Sequence, residues 1–488
     1  NDCLLYCWPK LRDLYIEYCE SLKYISTNTL IQPLESVRIA NCHQLIQIYK
    51  MEQNIVLPEL GSQESLTNLT FLESRSLPEL KYMWNGPNHY LHRVEITKCD
   101  KLTYLFSEIT ARTLVHLQFL EIWNCNSLEH LIGEAENMDE IDVSNIKDRS
   151  PLFLSKLKDV TIRGCKNLKY LCSSQGLPYL ESIHIEDCPR LIQIFNMEKN
   201  KDGFGLQNHC WTKLKTLWIV DCQRLKYVFA NTLFQELVLR NVGNNHQLCN
   251  TDVPVLNEGC IVVGNHEEVF QVQGGYSFSS IKNLMLEDLF EVRVIWNDFA
   301  QVVTLENLTI LTLTGCKKLR YIFSPIMVRS LSHLEDLFIE GCEEIERLIL
   351  AKDQVSLSSS NGDTSLQPMS FPNLTRIAVI NCKNLNSLFP FGFVPVLSKL
   401  ECLIVRRNYK LEQVFELEDE VEVVTEEEMK FDKLNLLSLE ELPGLIHFCP
   451  KGYHSVFTAM IELKVRDCPK LTTSFFIDSQ EFVHCKTK

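Results

Sequence analysis

Apolar residues recur along this chain in one fixed frame. Leucine or a close substitute stands at positions 1 and 4, an aliphatic residue at 6, cysteine at 9 and leucine at 12. The frame begins at Leu11, Leu14, Ile16, Cys19 and Leu22 and is still present at Met460, Leu463, Val465, Cys468 and Leu471. Eleven units carry the cysteine, starting at Leu11, Leu34, Leu91, Leu117, Leu157, Leu180, Leu214, Leu308, Leu334, Leu374 and Met460. Five more keep the apolar frame without it, starting at Leu69, Phe234, Ile281, Leu400 and Leu434; Leu289, Asn408 and Leu442 hold the cysteine position in three of these. Sixteen units in 488 residues give a period of about 30, within the range that marks a stacked solenoid.

Positions 4 and 6 alternate with a period of two, so their side chains share one face of a short strand. A further apolar residue sits three before position 1, as at Trp8, Leu114, Trp211, Phe278, Phe371 and Phe431. One unit cannot bury this surface alone, whereas stacked neighbours form a continuous core under a parallel sheet. The frame therefore predicts an α/β repeat: a leucine-rich-repeat solenoid, horseshoe or superhelix, over residues 1–488. Its parallel sheet lines the concave face, with short helices or irregular turns on the convex face. Position 9 falls where the chain turns inward after the strand. A small side chain with a weak donor can point into the core there and reach backbone carbonyls of the next turn, as Asn408 can at the same position. Cys19, Cys42, Cys99, Cys125, Cys165, Cys188, Cys222, Cys316, Cys342, Cys382 and Cys468 are thus expected to form a structural ladder.

Unit lengths vary through insertions near 133–152, 196–210, 243–277, 351–370 and 416–430, which are expected as loops. A second period overlies the first. Residues 99–132 and 316–349 match at an offset of 217, which suggests an internal duplication of about 69–215 and 281–435. Short outer helices are predicted at 108–116 and 325–333, where Ser107 and Ser324 can cap and Pro325 suits the first helical position.

Composition narrows the function. Hydrophobic residues make up 45% and charged residues 23%, an ordinary globular balance. No apolar run reaches the ~18 residues of a membrane helix, so no membrane partner is expected. Of the net charge of −15, residues 416–430 contribute −7 and residues 133–151 contribute −4. No stretch supplies the basic face that nucleic acid requires. Eleven of the twenty cysteines occupy one repeat position, which favours packing over cross-linking and a reducing compartment. The sequons at Asn68, Asn307 and Asn373 each precede a position-1 leucine and read as chance matches. The chain begins at Asn1 without an initiator methionine, as a fragment starting inside a repeat array would.

Catalytic chemistry has little foothold. The thirteen histidines are dispersed, and no C-x-x-C, G-x-S-x-G or G-x-x-x-x-G-K-[ST] occurs. Neither enzyme activity nor a cofactor or metal is expected. Recognition is better placed on the outward positions 5 and 7 that flank the core residues of each strand. Tyr15, Trp123, Arg163, His184, Trp218, Phe338 and Arg406 stand there, of the residue types that anchor protein interfaces.

Units of the type LKYLFS, C-x-x-L-K-Y-L and S-L-P-x-L-K-Y-x-W, with cysteine at position 9 and acidic insertions, extend over nearly the whole chain. In this the chain resembles the leucine-rich-repeat region of plant intracellular immune receptors, and more narrowly the coiled-coil nucleotide-binding class of disease-resistance proteins. The resemblance implies a cytoplasmic sensor region that detects pathogen effectors or guarded host proteins. It also implies restraint of a nucleotide-binding switch elsewhere in the parent protein, whose phosphate-binding motif this sequence lacks. An alternative is the substrate-recognition repeat of a ubiquitin-ligase adaptor, which also uses cysteine-bearing leucine-rich repeats.

Overall fold

A computed structural model describes residues 11–26, 34–49, 69–83, 90–133, 154–173, 177, 179–196, 213–225, 227–229, 236–242, 260–262, 268–270, 280–296, 305–323, 328, 331–349, 371–390, 397–416, 427–449 and 453–487. The chain divides into two compact units, Asn1–Phe234 and Gln235–Lys488.

Each unit is built on a parallel ladder of eight five-residue strands, one from each repeat. In the first unit these are Asp13–Glu17, Ser36–Ala40, Phe71–Arg75, Arg93–Thr97, Phe119–Trp123, Asp159–Arg163, Ser182–Glu186 and Thr216–Val220. In the second they are Glu236–Arg240, Asn283–Glu287, Ile310–Thr314, Asp336–Glu340, Arg376–Ile380, Cys402–Arg406, Leu436–Glu440 and Glu462–Arg466. The register pairs equal frame positions: Thr161 lies between Glu121 and His184, and Ala378 between Phe338 and Ile404. Positions 1, 4, 6, 9 and 12 make the core, as in the coil of Leu157, Val160, Ile162, Cys165 and Leu168, each at most 1% exposed. Burying each such side chain stabilises the fold by about 1.5–3 kcal/mol before the entropy of ordering is subtracted.

The chain leaves every one of these sixteen strands through a residue at position 8 with left-handed φ, between 47° and 67°. Eleven of the sixteen are Asn, Asp or Gly, the types that adopt this conformation most easily. The twist extends the ladder by one hydrogen bond, because the position-8 N–H donates to the position-7 carbonyl of the next coil. Lys98 N to Trp123 O is 2.9 Å and Asn381 N to Arg406 O is 2.9 Å. It also turns position 9 inward. Position 12 then closes a tight turn by donating to the position-9 carbonyl, as Leu168 N does to Cys165 O at 3.2 Å.

The thiols bond differently from the expected contact with the next turn. Each of the eleven cysteines points its Sγ at the carbonyl two residues earlier, at 3.3 Å for Cys42 to Ala40 and 3.7 Å for Cys165 to Arg163. Cys99, Cys316, Cys342 and Cys468 also reach the position-6 carbonyl of the preceding coil. The reason is the left-handed step, which folds the side chain back under its own strand. Asn408 makes the same backward reach with two bonds: its Nδ2 donates to Val379 O at 2.9 Å and its Oδ1 accepts from Cys382 N at 2.7 Å. Burial raises the Cys382 thiol to about 12, so it stays protonated and unreactive.

The sequon threonines are also part of the scaffold. Thr70, Thr309 and Thr375 donate their hydroxyls to the carbonyls of Glu35, Lys282 and Glu335 in the preceding coil. Asn373 Nδ2 donates to Ser332 O at 2.7 Å.

Away from the ladder lies a second row of short strands. Tyr24–Ser26 pairs with Gln47–Tyr49, Tyr104–Ser107 with His130–Gly133, and Ser387–Pro390 with Gln413–Glu416, all parallel. The helix expected at 108–116 spans Glu108–Thr113, with Ser107 Oγ accepting from Thr110 N at 3.2 Å. It stops early because Leu114 must enter the core, where it is 1% exposed. Of the helix expected at 325–333, Val328 is helical, residues 331–333 are not, and Ser324, Pro325 and the others lie outside the described residues. So do Trp8, Trp211 and Phe278, the insertions at 197–210 and 351–370, and most of the other three insertions.

The second unit ends in a feature the frame does not contain. Thr473–Ile477 and Val483–Thr487 form an antiparallel hairpin that pairs with Tyr453–Phe457, itself parallel to Glu427–Phe431. Phe431, Phe448 and Phe457 pack together beneath it, with ring centroids 5.2–6.3 Å apart. The last ladder strand carries Glu462, Lys464 and Arg466, charges that discourage another strand from adding to the edge.

Candidate functional site

Because side chains alternate along a strand, burial of positions 4 and 6 forces 3, 5 and 7 onto the open face of each ladder. Four of the seven candidate residues come together there in the first unit. Position 7 runs through Trp123, Arg163 and Glu186 on consecutive strands, and position 5 through Thr161, His184 and Trp218. The Arg163 guanidinium lies 5.4 Å from the Trp123 ring centroid, and its Nε lies 3.2 Å from Glu186 Oε2. Glu186 also sits 3.7 Å from His184 Nε2, and the His184 ring meets Trp218 at 5.4 Å, tilted by 55°. With strands about 4.8 Å apart, the strip is about 15 Å long.

This strip is ordered yet chemically unfinished. Trp123 is 40% exposed. The Trp218 indole nitrogen is shielded from solvent and has no hydrogen-bond partner among the described residues. A shielded N–H of that kind costs about 1–3 kcal/mol. Burial, followed by the nearby Arg163, lowers His184 below its ordinary 6.5, so the imidazole is neutral near pH 7. It offers a flat, uncharged surface beside an ion pair.

The remaining candidates lie elsewhere. Tyr15 is 62% exposed on the first ladder strand of the same unit, where its hydroxyl donates to Glu17. That bond, with burial a lesser cause, raises the phenol above 10.0. Phe338 is half-buried in the second unit between Thr312 and Ala378. Arg406, also in the second unit, belongs to a charged network that the candidate residues did not include. Its guanidinium lies 2.9 Å from Glu440 Oε1 and 3.2 Å from Ser438 Oγ, and Arg466 approaches Glu440 Oε2 at 2.9 Å. Glu440 is 7% exposed and is held below its usual 4.5 by the Ser438 hydroxyl, with Arg406 and Arg466 assisting. The signal was an acidic position 7 between two arginines at position 7, visible only once neighbouring coils are aligned.

Among the described residues no group of three His, Cys, Asp or Glu side chains is placed to hold a metal ion, and fourteen cysteines are free thiols. No helix among them is long and apolar enough to cross a membrane.

Comparison with known proteins places the repeat. One solved structure, the pneumococcal vaccine antigen PcpA, matches at 10% identity over 77% of this chain and 79% of its own, with a TM-score of 0.18, too low to bear on the fold. A candidate disease-resistance protein of Arabidopsis thaliana, At4g19050, is 23% identical over 480 residues; the match covers 85% of this chain and 37% of that protein's length. The family model for leucine-rich repeats of RPS2-like plant disease-resistance proteins matches at residues 4–126, 127–245, 201–343 and 344–481. The chain is a leucine-rich-repeat solenoid belonging to the RPS2-like plant disease-resistance family.

Proposed function

We propose that the open ladder face of the first unit, centred on Trp123, Arg163, His184 and Trp218, is the surface through which a cytoplasmic plant immune receptor recognises a protein. The partner is a pathogen effector or a guarded host protein. Through the same repeat region the receptor restrains a nucleotide-binding switch in the parent chain. The observation that carries the reading is the contiguous strip itself: two tryptophans bracket an arginine and a neutral histidine. Tryptophan and arginine at the centre of a patch are the usual anchors of binding energy. The family match gives no added weight to a ubiquitin-ligase adaptor.

Proximity labelling tests the proposal. The full chain, fused to a biotin-labelling enzyme, is expressed in plant tissue as wild type and as Trp123→Ala with Trp218→Ala. Loss of two anchors at about 2 kcal/mol each weakens binding by roughly a thousandfold. The account expects specific labelled proteins to vanish from the variant's set at equal abundance and unchanged thermal stability. An identical labelled set would overturn it.

A further inference from the structure

The second row of the first unit carries another ordered surface. The triplet L-K-Y recurs at 22–24, 80–82, 168–170 and 225–227, with its tyrosine at position 14 of the frame. In four consecutive coils this position holds Tyr82, Tyr104, His130 and Tyr170, and the rings form one run. Centroids are 6.3, 6.4 and 5.5 Å apart in that order, and the last two pairs are stacked within 11° and 10° of parallel. Gly133 makes room for the run, since a Cβ there would lie 2.5 Å from Tyr104 Cγ. The run is not sealed in the core: Tyr82 is 41% exposed, and the other three rings are half-buried.

The turns that lead into these rings carry cations. Lys101 pairs with Glu79 at 2.6 Å and Lys169 with Glu129 at 2.7 Å. Lys81, Lys166 and Arg190, in the turns of the same coils and the next, have no ion-pair partner among the described residues. The acid Asp100 of the same turns accepts from Asn126 N and Nδ2 and has no cation partner among the described residues. Five cations (Lys81, Lys101, Lys166, Lys169 and Arg190) thus stand against three acids (Glu79, Asp100 and Glu129), a local positive excess within a chain of net charge −15.

We propose that this flank is a second docking surface, separate from the ladder face, which takes an acidic extended segment of a partner protein. Two features select carboxylates. Stacked rings turn their negative faces on one another and present their positive edges, which attract anions. The exposed Lys81, Lys166 and Arg190 of the adjoining turns supply charge-assisted hydrogen bonds. Single-stranded nucleic acid fits less well, because base stacking requires open ring faces and here both faces of His130 and one face each of Tyr104 and Tyr170 are occupied within the run.

Fluorescence anisotropy on the full chain tests this with a dye-labelled glutamate-rich peptide and an oligothymidylate of equal length. The peptide is expected to bind, more weakly as salt rises through about 0.15 M. Lys81→Glu with Lys166→Glu and Arg190→Glu should reduce its affinity at least tenfold, and the corresponding glutamine variant by less. Trp123→Ala with Trp218→Ala should leave it within about twofold, so failure here and failure of the ladder-face proposal are read separately. Absence of peptide binding, unchanged affinity in the charge-reversed variant at wild-type thermal stability, or tighter binding of the oligothymidylate would each overturn the proposal.

Discussion

Position 8 decides the shape of each coil, and it does so with residues of unequal suitability. Lys98, Arg407 and Glu441 hold φ at 55°, where a side chain costs about 1 kcal/mol that glycine does not incur. Lys98→Gly is therefore expected to raise stability by about 0.5–1 kcal/mol, measured by urea unfolding. The reverse change is worse than the backbone term alone. At Gly164 an added Cβ would stand 2.2 Å from Asn124 Oδ1 at a φ of 67°, so Gly164→Ala should cost about 2 kcal/mol or more in the same assay. Asn408 tests the column beside it. Asn408→Ala strands the buried Cys382 N–H, at about 1–3 kcal/mol, whereas Asn408→Cys restores a polar side chain there and should cost less than alanine. The inward cysteine column was legible because its spacing repeats without error. The left-handed column was present in the sequence too, as Asn41, Asn124, Asp187, Asp221 and their equivalents. It went unread because Tyr18, Lys98 and Arg407 share the position, and only backbone geometry unites them.

At the scale of elements, ladder strands follow from local alternation, but their neighbours on the open face follow from register. That is why Arg406 was legible as an outward arginine while its partners, Ser438 and Glu440, were not. Glu440 gives the network a pH signature. Its folded carboxyl is held below 4.5, so its contribution is fully present above that value and is lost as pH falls through the lower folded one. Glu440→Gln should thus be less stable than wild type at neutral pH, and the gap should close below pH 4.5, by denaturant unfolding at a series of pH values. The helix shows the same division. Its start at Ser107 is a local capping bond and was legible, whereas its end is set by burial of Leu114 and was not. The short second-row strands, of two to four residues where they pair with one another, are too brief for any periodicity to announce.

At the scale of the molecule, the account separates what holds the chain together from what it presents. Between the first and last coils, thiols at position 9 and leucines at 1, 4 and 12 are almost wholly buried, while the exposed Trp123 lies one residue beyond a fully buried Ile122. The terminal hairpin, by contrast, lay beyond the reach of the frame, because it is built on Asp478 accepting from Gln480 N and Phe482 N and not on the repeat. Scaffold and recognition should therefore fail independently. The most direct measurement compares two double variants of the full chain in denaturant unfolding and in proximity labelling. Cys125→Ala with Cys165→Ala should lose about 2 kcal/mol of stability while the folded protein keeps its labelled partners. Trp123→Ala with Trp218→Ala should keep wild-type stability within about 1 kcal/mol and lose those partners. Loss of partners from the folded cysteine variant together with their retention by the tryptophan variant would contradict the account.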